Sequence, residues 1–219
     1  MFVSRLGYLI AFGIIFLAAK SAMKRQQILL IQQSSNLTIN DHNLFNPIIG
    51  WRLSEWETVD DRIRGGSSYS YLKENNDSSK GVVFCGNLDT STLGGAGFAS
   101  QRIFFGDYLD ASAFSHLKIV FLEKSEKTLS LNLYNSYSTE RGDGRHKSQV
   151  VYKASFPLKK DVEIYLAWSD FKPNYRGRDD PNAEPLNLQK ITGLSIMMQS
   201  FFNSQKGPFS LGIKSISLV

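Results

Sequence analysis

The sequence predicts an all-β protein, an antiparallel β-sandwich that follows an apolar N-terminal leader. The first observation is that about ten short segments with strand patterns follow residue 50, separated by turn-forming clusters such as Arg-Gly-Asp-Gly at 141–144. The second is that no segment after the leader keeps helical spacing of its apolar residues through three turns. Because parallel sheets need crossover helices, this pattern favours an antiparallel sandwich over a Rossmann-like sheet.

Residues 1–25 form the predicted leader, in which residues 6–19 are a continuous apolar run of fourteen. That length is below the roughly 20 residues of a usual spanning helix and is typical of a signal peptide. The absence of acids before residue 41 is typical of a mitochondrial presequence, although presequences are amphipathic and this run is apolar on every face. Composition therefore favours a membrane anchor or a secretory signal, and a presequence stays open.

The remaining chain divides into a predicted polar linker at 26–49 and one predicted sandwich domain at 50–219. The formal net charge is +5, but residues 1–40 hold four basic residues and no acid, which leaves +1 for residues 41–219. This near neutrality excludes a nucleic-acid partner, because phosphate binding needs a basic surface. The single cysteine, Cys85, excludes an internal disulfide, and its apolar neighbours predict a buried structural thiol.

Strand patterns recur in chain order through the predicted domain. The predicted strands are 67–72, 81–88, 98–104, 116–123, 129–134, 149–156, 162–168, 191–199 and 209–218. In the last of them, apolar residues up to Ile213 alternate in one phase, and Ile216 and Leu218 follow in the opposite phase. This change of phase predicts a bulge near Lys214 or Ser215 that keeps one buried face.

The candidate functional segment is 60–102, where charged residues adjoin glycine pairs and small hydroxyl residues. Asp60 and Asp61 point to opposite faces of an extended chain, so they are not expected to share a substrate or a metal. Arg62 and Arg64 then lie on one face, from which either can pair with Asp60 in bidentate fashion. We predict an internal brace for the turn at 65–66, because buried charges persist only when paired, and a ligand site is the alternative.

Other motifs in the chain carry weaker signals. The glycines at 94–97 lead into a strand instead of a helix, so a dinucleotide-binding loop is not predicted. The three histidines are scattered without ligand spacing, and no nucleophile has a placed base, so no metal, cofactor or catalytic residue is predicted. Trp168 and Tyr175, the latter next to Arg176 in the sequence, are as typical of the rim of a binding site as of packing at the edge of the core.

Several motifs resemble one known family. They are Asp-Asp-Arg-Ile-Arg-Gly-Gly-Ser-Ser at 60–68, Gly-Asn-Leu-Asp at 86–89, Leu-Gly-Gly-Ala-Gly-Phe-Ala-Ser-Gln-Arg at 93–102, and shorter matches at 171–178, 191–196 and 207–211. In order and spacing they resemble the complex I intermediate-associated protein family over about residues 51–219. The resemblance implies a galactose-binding-domain-like jelly-roll β-sandwich that serves as a non-enzymatic assembly chaperone in mitochondria.

The resemblance and the local chemistry together give one set of residues for partner binding or loop bracing. The set is Asp60, Asp61, Arg62, Arg64, Gly65, Gly66, Ser67, Ser68, Asn87, Gly97, Phe98, Arg102, Trp168, Tyr175 and Arg176. The implied partners are protein subunits or assembly intermediates of a membrane complex, with the inner mitochondrial membrane reached through the leader.

A second hypothesis is a carbohydrate-binding module of the secretory pathway, attached to the endoplasmic reticulum or another membrane through residues 6–19. Such a module uses aromatic stacking together with hydrogen bonds from Asn, Asp and Arg. A glycosidase is the third hypothesis, and it needs two facing carboxylates, which no spacing in the sequence demonstrates. Cellular location separates the first two hypotheses.

Overall fold

Two antiparallel sheets form the part of the chain that the computed structural model describes, residues 42–219 except 138, 140, 141 and 143–146. The predicted leader and most of the turn at 141–144 lie outside the described residues. Helices in the described part are single 3-10 turns, and none has the length and apolarity to cross a lipid bilayer.

Thirteen strands and five 3-10 helices alternate along the described chain. The strands are β1 (His42–Phe45), β2 (Glu57–Thr58), β3 (Tyr69–Glu74), β4 (Val82–Leu88), β5 (Phe98–Leu109), β6 (His116–Phe121), β7 (Thr128–Tyr134), β8 (Val151–Pro157), β9 (Glu163–Ala167), β10 (Lys172–Tyr175), β11 (Arg178–Asp179), β12 (Ile191–Gln199) and β13 (Gly207–Leu218). The 3-10 helices are Leu53–Glu55, Asp61–Arg64, Ser78–Lys80, Trp168–Asp170 and Leu188–Lys190. Each strand that the sequence predicts is confirmed.

The strands divide into a six-stranded and a seven-stranded sheet. The first has the order β3-β4-β13-β6-β9, with β1 also paired to β13, and the second has the order β11-β10-β8-β7-β12-β5-β2. Consecutive strands often lie in different sheets: β4 and β5, for example, belong to opposite sheets. The chain therefore crosses repeatedly between the two layers, as it does in jelly-roll sandwiches.

Alternating side chains build the core between the layers. On β12, for example, Leu194, Ile196 and Met198 are buried among the core residues. Successive side chains of a strand point to opposite sides, so Gly193, Ser195 and the other residues between them lie on the side away from the core. We call this side of the seven-stranded sheet its outer face.

The predicted bulge in the last strand is confirmed. The pairing of β13 with β6 shifts register between Ile213 and Ser215. Both Ile213 and Ile216 are fully buried, because the extra residue restores the apolar side chains to the core face. The bulge thus lets one strand of twelve residues keep a single buried face along its length.

Strand β1 begins ahead of the predicted domain start at residue 50. Its Phe45 is fully buried and stacks on Trp51 with the ring centroids 5.5 Å apart. Trp56 closes this aromatic cluster, and its indole nitrogen donates to the Trp51 carbonyl at 2.8 Å. The buried rings explain why this polar segment, which lacks a strand pattern, is ordered as part of the sandwich.

The interpretation of Cys85 as a buried thiol is wrong. On β4, Val82, Phe84 and Leu88 face the core, and Cys85 lies on the opposite side with an intermediate exposure. The apolar residues Val83 and Phe84, just before Cys85 in the sequence, hid this alternation.

We expect Ile196→Ala to lower the free energy of unfolding by about 2–5 kcal/mol, because it removes fully buried side-chain volume. Ile48→Ala is the matched control, since Ile48 is 70% exposed and its truncation is expected to change stability by at most about 0.5 kcal/mol. Urea denaturation of the full chain measures both. Equal losses in the two variants would contradict the assignment of the core.

Candidate functional site

Asp60 and Asp61 occupy the centre of the segment that the sequence singles out. Asp60 ends an extended stretch, and Asp61 begins the 3-10 helix that continues to Arg64. Both side chains are removed from solvent, with relative exposures of 2% and 0%. Buried carboxylates need several hydrogen-bond donors, so the partners of these two determine what the pair does.

The Asp60 carboxylate accepts hydrogen bonds from both sheets. From β3 it accepts the Ser70 backbone N–H at 3.0 Å and the Ser70 hydroxyl at 2.8 Å. From β5 it accepts the Ser100 backbone N–H at 2.9 Å. Because β3 is an edge strand of the six-stranded sheet and β5 belongs to the seven-stranded sheet, this side chain joins the two layers.

Asp61 joins the same two segments in the same way, at positions two residues earlier in each of them. Its carboxylate accepts the backbone N–H of Ser68, just before β3, at 2.9 Å and that of Phe98, the first residue of β5, at 3.1 Å. Amides two residues apart on a strand point to the same side, so two adjacent carboxylates bond two facing pairs of amides. We call Asp60 and Asp61 the aspartate bridge.

Two glycines make room for the bridge. A Cβ atom on Gly66 would lie 2.2 Å from Asp61 Oδ1, and one on Gly97 would lie 3.3 Å from Asp61 Oδ2 and 2.2 Å from the Asp89 carbonyl oxygen. Gly65 ends the 3-10 helix with a φ of 83°, a left-handed conformation that glycine adopts without strain. The glycines and acids of this segment therefore depend on one another sterically.

The predicted pairing of arginines with the acids differs from the observed one. The segment at 61–64 is a 3-10 helix and not an extended chain, so Arg62 and Arg64 do not share a face. Arg62 reaches Asp60 through one nitrogen at 3.1 Å, from a side chain that is 55% exposed. Arg64 lies over the Phe98 ring, 5.6 Å from its centroid. Backbone amides, not guanidinium groups, provide most of the donors to the aspartate bridge.

The other predicted site residues lie in several places. Ser68 is buried beside the bridge, whereas Ser67 is exposed, and Asn87 is half-buried on β4. Trp168 donates to the Phe114 carbonyl at 2.6 Å and packs on the core, which supports the structural interpretation. Tyr175 and Arg176 form a stacked pair at 5.3 Å at the end of β10, with three strands between β10 and β5 in the sheet order. The structure therefore does not bring the predicted set into one site.

Arg102 lies on the outer face of the seven-stranded sheet, with 7% of its side chain exposed. Its Nη2 donates to Glu57 Oε2 at 2.7 Å, and its guanidinium lies 4.8 Å from the centroid of the Phe104 ring. Its Nε is buried without a hydrogen-bond partner.

The register of the strands extends Arg102 into a row of polar residues across this face. The aligned residues are Glu57, Arg102, Ser195, Asn132, Lys153 and Lys172, one from each of six strands. We call them the polar row. Ser195 and Asn132 are fully buried although they face away from the core. Burial lowers the pKa of the Lys153 amine, and the charge of Asp179 acts in the opposite direction.

Sequence reasoning missed the polar row apart from Arg102. Its members come from strands far apart in the chain, and alternation alone makes Ser195 and Asn132 resemble ordinary solvent-facing residues. The signal in the sequence was that β7 and β12 place Asn and Ser, not long charged residues, at these positions.

Comparisons with known proteins agree on the family and on the fold. The family model described as Complex I intermediate-associated protein 30 (CIA30) matches residues 46–213. The protein described as Uncharacterized protein C9E9.15 of Schizosaccharomyces pombe is 38% identical over 192 residues, covering 80% of this chain and 83% of that protein.

Among solved structures, the family 11 carbohydrate-binding module of the cellulase Lic26A-Cel5E of Clostridium thermocellum is similar. Its TM-score is 0.52 at 15% identity, with 83% of this chain and 95% of that chain covered. A second structure of such a module, in complex with a β-1,3-1,4-mixed-linked tetrasaccharide, has a TM-score of 0.51 at 15% identity and covers 82% and 95% of the two chains. This similarity confirms the predicted jelly-roll fold class.

We expect Asp61→Ala to destabilise the protein by about 3 kcal/mol, because it leaves the buried N–H groups of Ser68 and Phe98 without an acceptor. Asp110→Ala is the control, since that exposed carboxylate bonds only Ser112 near it in the chain, and its loss is expected to leave the melting temperature nearly unchanged. Thermal denaturation of the full chain compares the two. An unchanged melting temperature for Asp61→Ala would contradict a bracing role.

Proposed function

The chain belongs to the complex I intermediate-associated protein 30 family, and we propose that it is a non-enzymatic chaperone that holds an assembly intermediate of a mitochondrial membrane complex. The observation that carries this proposal is the family match over residues 46–213, which spans the sandwich from before β2 into β13. Complex I is the first client to test, and its subunits or partly assembled forms are the proposed partners.

The geometry of the aspartate bridge favours a structural role of the two acids over a catalytic one. A general acid or base needs a carboxylate that reaches the substrate, whereas both oxygens of Asp60 and of Asp61 are occupied by internal donors. In the described part of the chain, no group of three or more His, Cys, Asp or Glu residues is arranged to hold a metal ion. The bridge therefore supports a structural function for the acids.

The bridge also fixes a surface suited to a protein client. Ser70 points inward to Asp60, so its neighbours on β3, Tyr69 and Tyr71, point outward. Their rings lie 5.8 Å apart and are 40% and 56% exposed. Exposed aromatic side chains on a rigid strand are frequent anchors of protein interfaces, because they bury much surface and lose little conformational entropy. We propose this tyrosine pair as the contact with the client.

We expect the double change Tyr69→Ser and Tyr71→Ser to abolish crosslinked co-purification of complex I subunits with the tagged full chain, without a change in melting temperature. Tyr165→Ser is the control, because Tyr165 is 52% exposed on β9, at the opposite end of the same sheet. Mass spectrometry of the crosslinked material identifies the client. Recovery of no membrane-complex subunit with the unaltered chain would refute the proposed function.

The second candidate function, a glycan-binding module of the secretory pathway, is favoured by the unpartnered polar atoms on the outer face of the seven-stranded sheet. Location distinguishes the two candidates, because a complex I chaperone acts at mitochondria and a secretory module passes through the endoplasmic reticulum.

We expect the full chain to fractionate with mitochondria and to stay in the membrane pellet after alkaline carbonate extraction, if residues 6–19 act as an anchor. A cleaved presequence would instead shorten the chain and release it. An uncleaved protein in the cytosol would contradict both interpretations of the leader, and one that acquires glycans at Asn36 or Asn76 would favour the secretory candidate.

A further inference from the structure

Buried polar atoms without a partner concentrate on one surface of this protein. Four such side-chain atoms occur in the described part of the chain, and two of them, Arg102 Nε and Asn132 Oδ1, belong to the polar row. A third, Gln149 Nε2, belongs to the segment that leads into β8. Native proteins leave few buried polar atoms unpaired, and a cluster of them on one face indicates a ligand.

The side chains that carry these atoms are held in place by their other hydrogen bonds. Arg102 is fixed by Glu57 and by the Phe104 ring. The Asn132 amide nitrogen donates to Ser195 Oγ at 2.9 Å, and the Tyr134 hydroxyl lies 3.2 Å from the same oxygen. These contacts hold the donor Arg102 Nε and the acceptor Asn132 Oδ1 in fixed orientations before a ligand binds, which lowers the entropic cost of binding.

The combination of donor and acceptor selects the chemistry of the ligand. Hydroxyl groups can accept from Arg102 Nε and can donate to Asn132 Oδ1, and they fit either orientation of the Asn132 amide. A carboxylate or a phosphate has no proton to donate to Asn132 Oδ1. Its negative charge would also be repelled by the Glu57 carboxylate at the end of the polar row. A cation would be repelled by the positive charges of Arg102 and Lys153. Neutral, hydroxyl-rich molecules therefore match the face best.

Aromatic rings continue from the polar row toward an exposed edge. Phe104 contacts Tyr134 at 5.4 Å and Tyr137 at 5.8 Å, and Tyr137 contacts Tyr108 at 6.1 Å between ring centroids. Tyr108 and Tyr137 are 55% and 42% exposed. The Tyr137 hydroxyl donates to the Phe105 carbonyl at 3.0 Å, which orients the ring. We call these four side chains the aromatic ladder.

The aromatic ladder supplies what a sugar ring needs in addition to hydrogen bonds. One side of a pyranose presents C–H groups that pack on aromatic faces, and its rim presents hydroxyl groups. Burial raises the pKa of the Tyr134 phenol above its ordinary value. Aromatic faces at the edge and fixed polar groups at the centre are the usual composition of a small-molecule site.

We propose that the outer face of the seven-stranded sheet binds a neutral oligosaccharide, with Arg102 and Asn132 hydrogen-bonding its hydroxyl groups and the aromatic ladder packing against its rings. The two key atoms are buried, so a ligand reaches them by rotation of neighbouring surface side chains, a common adjustment on binding. This site lies on a different sheet from the tyrosine pair of β3, so it is independent of the proposed client contact.

Isothermal titration calorimetry of the full chain tests the proposal with a β-1,3-1,4-mixed-linked glucan tetrasaccharide and with gluco-, manno- and galacto-configured β-1,4-tetrasaccharides. We expect at least one of them to bind with a Kd below about 1 mM. Asn132→Leu removes the amide but keeps its approximate shape, and we expect it to weaken binding at least about tenfold. This change removes an unpaired buried oxygen and also the hydrogen bond to Ser195, whose hydroxyl keeps Tyr134 as a partner, so we expect the melting temperature to change little.

A second variant and a control complete the test. Tyr108→Ala, at the exposed end of the aromatic ladder, is expected to weaken binding at least about threefold, since an exposed ring contributes less than a buried hydrogen bond. Tyr165→Ala, an equally exposed tyrosine on the other sheet, is expected to bind like the unaltered chain.

Three outcomes would overturn the proposal. They are no binding of any of the four tetrasaccharides at millimolar concentration, unchanged affinity in both Asn132→Leu and Tyr108→Ala, and a lower melting temperature of Asn132→Leu with unchanged affinity. The last would show that the amide is structural and its oxygen hydrated. Client co-purification with Asn132→Leu is expected to persist. Failure of the proposed sugar site can therefore be distinguished from failure of the proposed chaperone function.

Discussion

At one edge of the sandwich, two adjacent carboxylates join the two sheets where no hydrogen bonds run directly from strand to strand. Where β3 and β5 face each other across the edge of the sandwich, their amides cannot bond directly because they belong to different layers. Asp60 and Asp61 bond both sets of amides at once, and each acid joins two residues that are 30 positions apart in the chain. The interaction therefore positions the 3-10 turn, the glycine segment at 94–97 and the strand that carries the exposed tyrosines.

The fold could be predicted largely from alternation. The strand pattern in β7 and β12 identifies the core face, and the change of phase after Ile213 locates the bulge because a slip of one residue would expose every later side chain. Strand β1 could not be predicted in the same way. Its contribution rests on one ring, Phe45, whose partners Trp51 and Trp56 come later in the chain.

The site was less predictable, for two physical reasons. The acid cluster was found from composition, but a local 3-10 helix at 61–64 turned Arg64 away from the acids and left backbone amides as their donors, which no side-chain pattern encodes. The polar row exists only in the sheet, because register pairs Ser195 with Arg102 and with Asn132, which lie 93 and 63 residues before it in the chain. Sequence spacing carries no information on such an alignment.

The occupied edge amides have a consequence for how the protein behaves in a crowded compartment. A free strand edge is a template onto which another chain can add a strand, and this is a common route to edge-to-edge aggregation. In this protein the carboxylates occupy the outward-pointing N–H groups of Ser68 and Ser70 at the start of the edge strand β3. An edge whose amides are already bonded within the chain is a poorer site for strand addition by other, incompletely folded proteins.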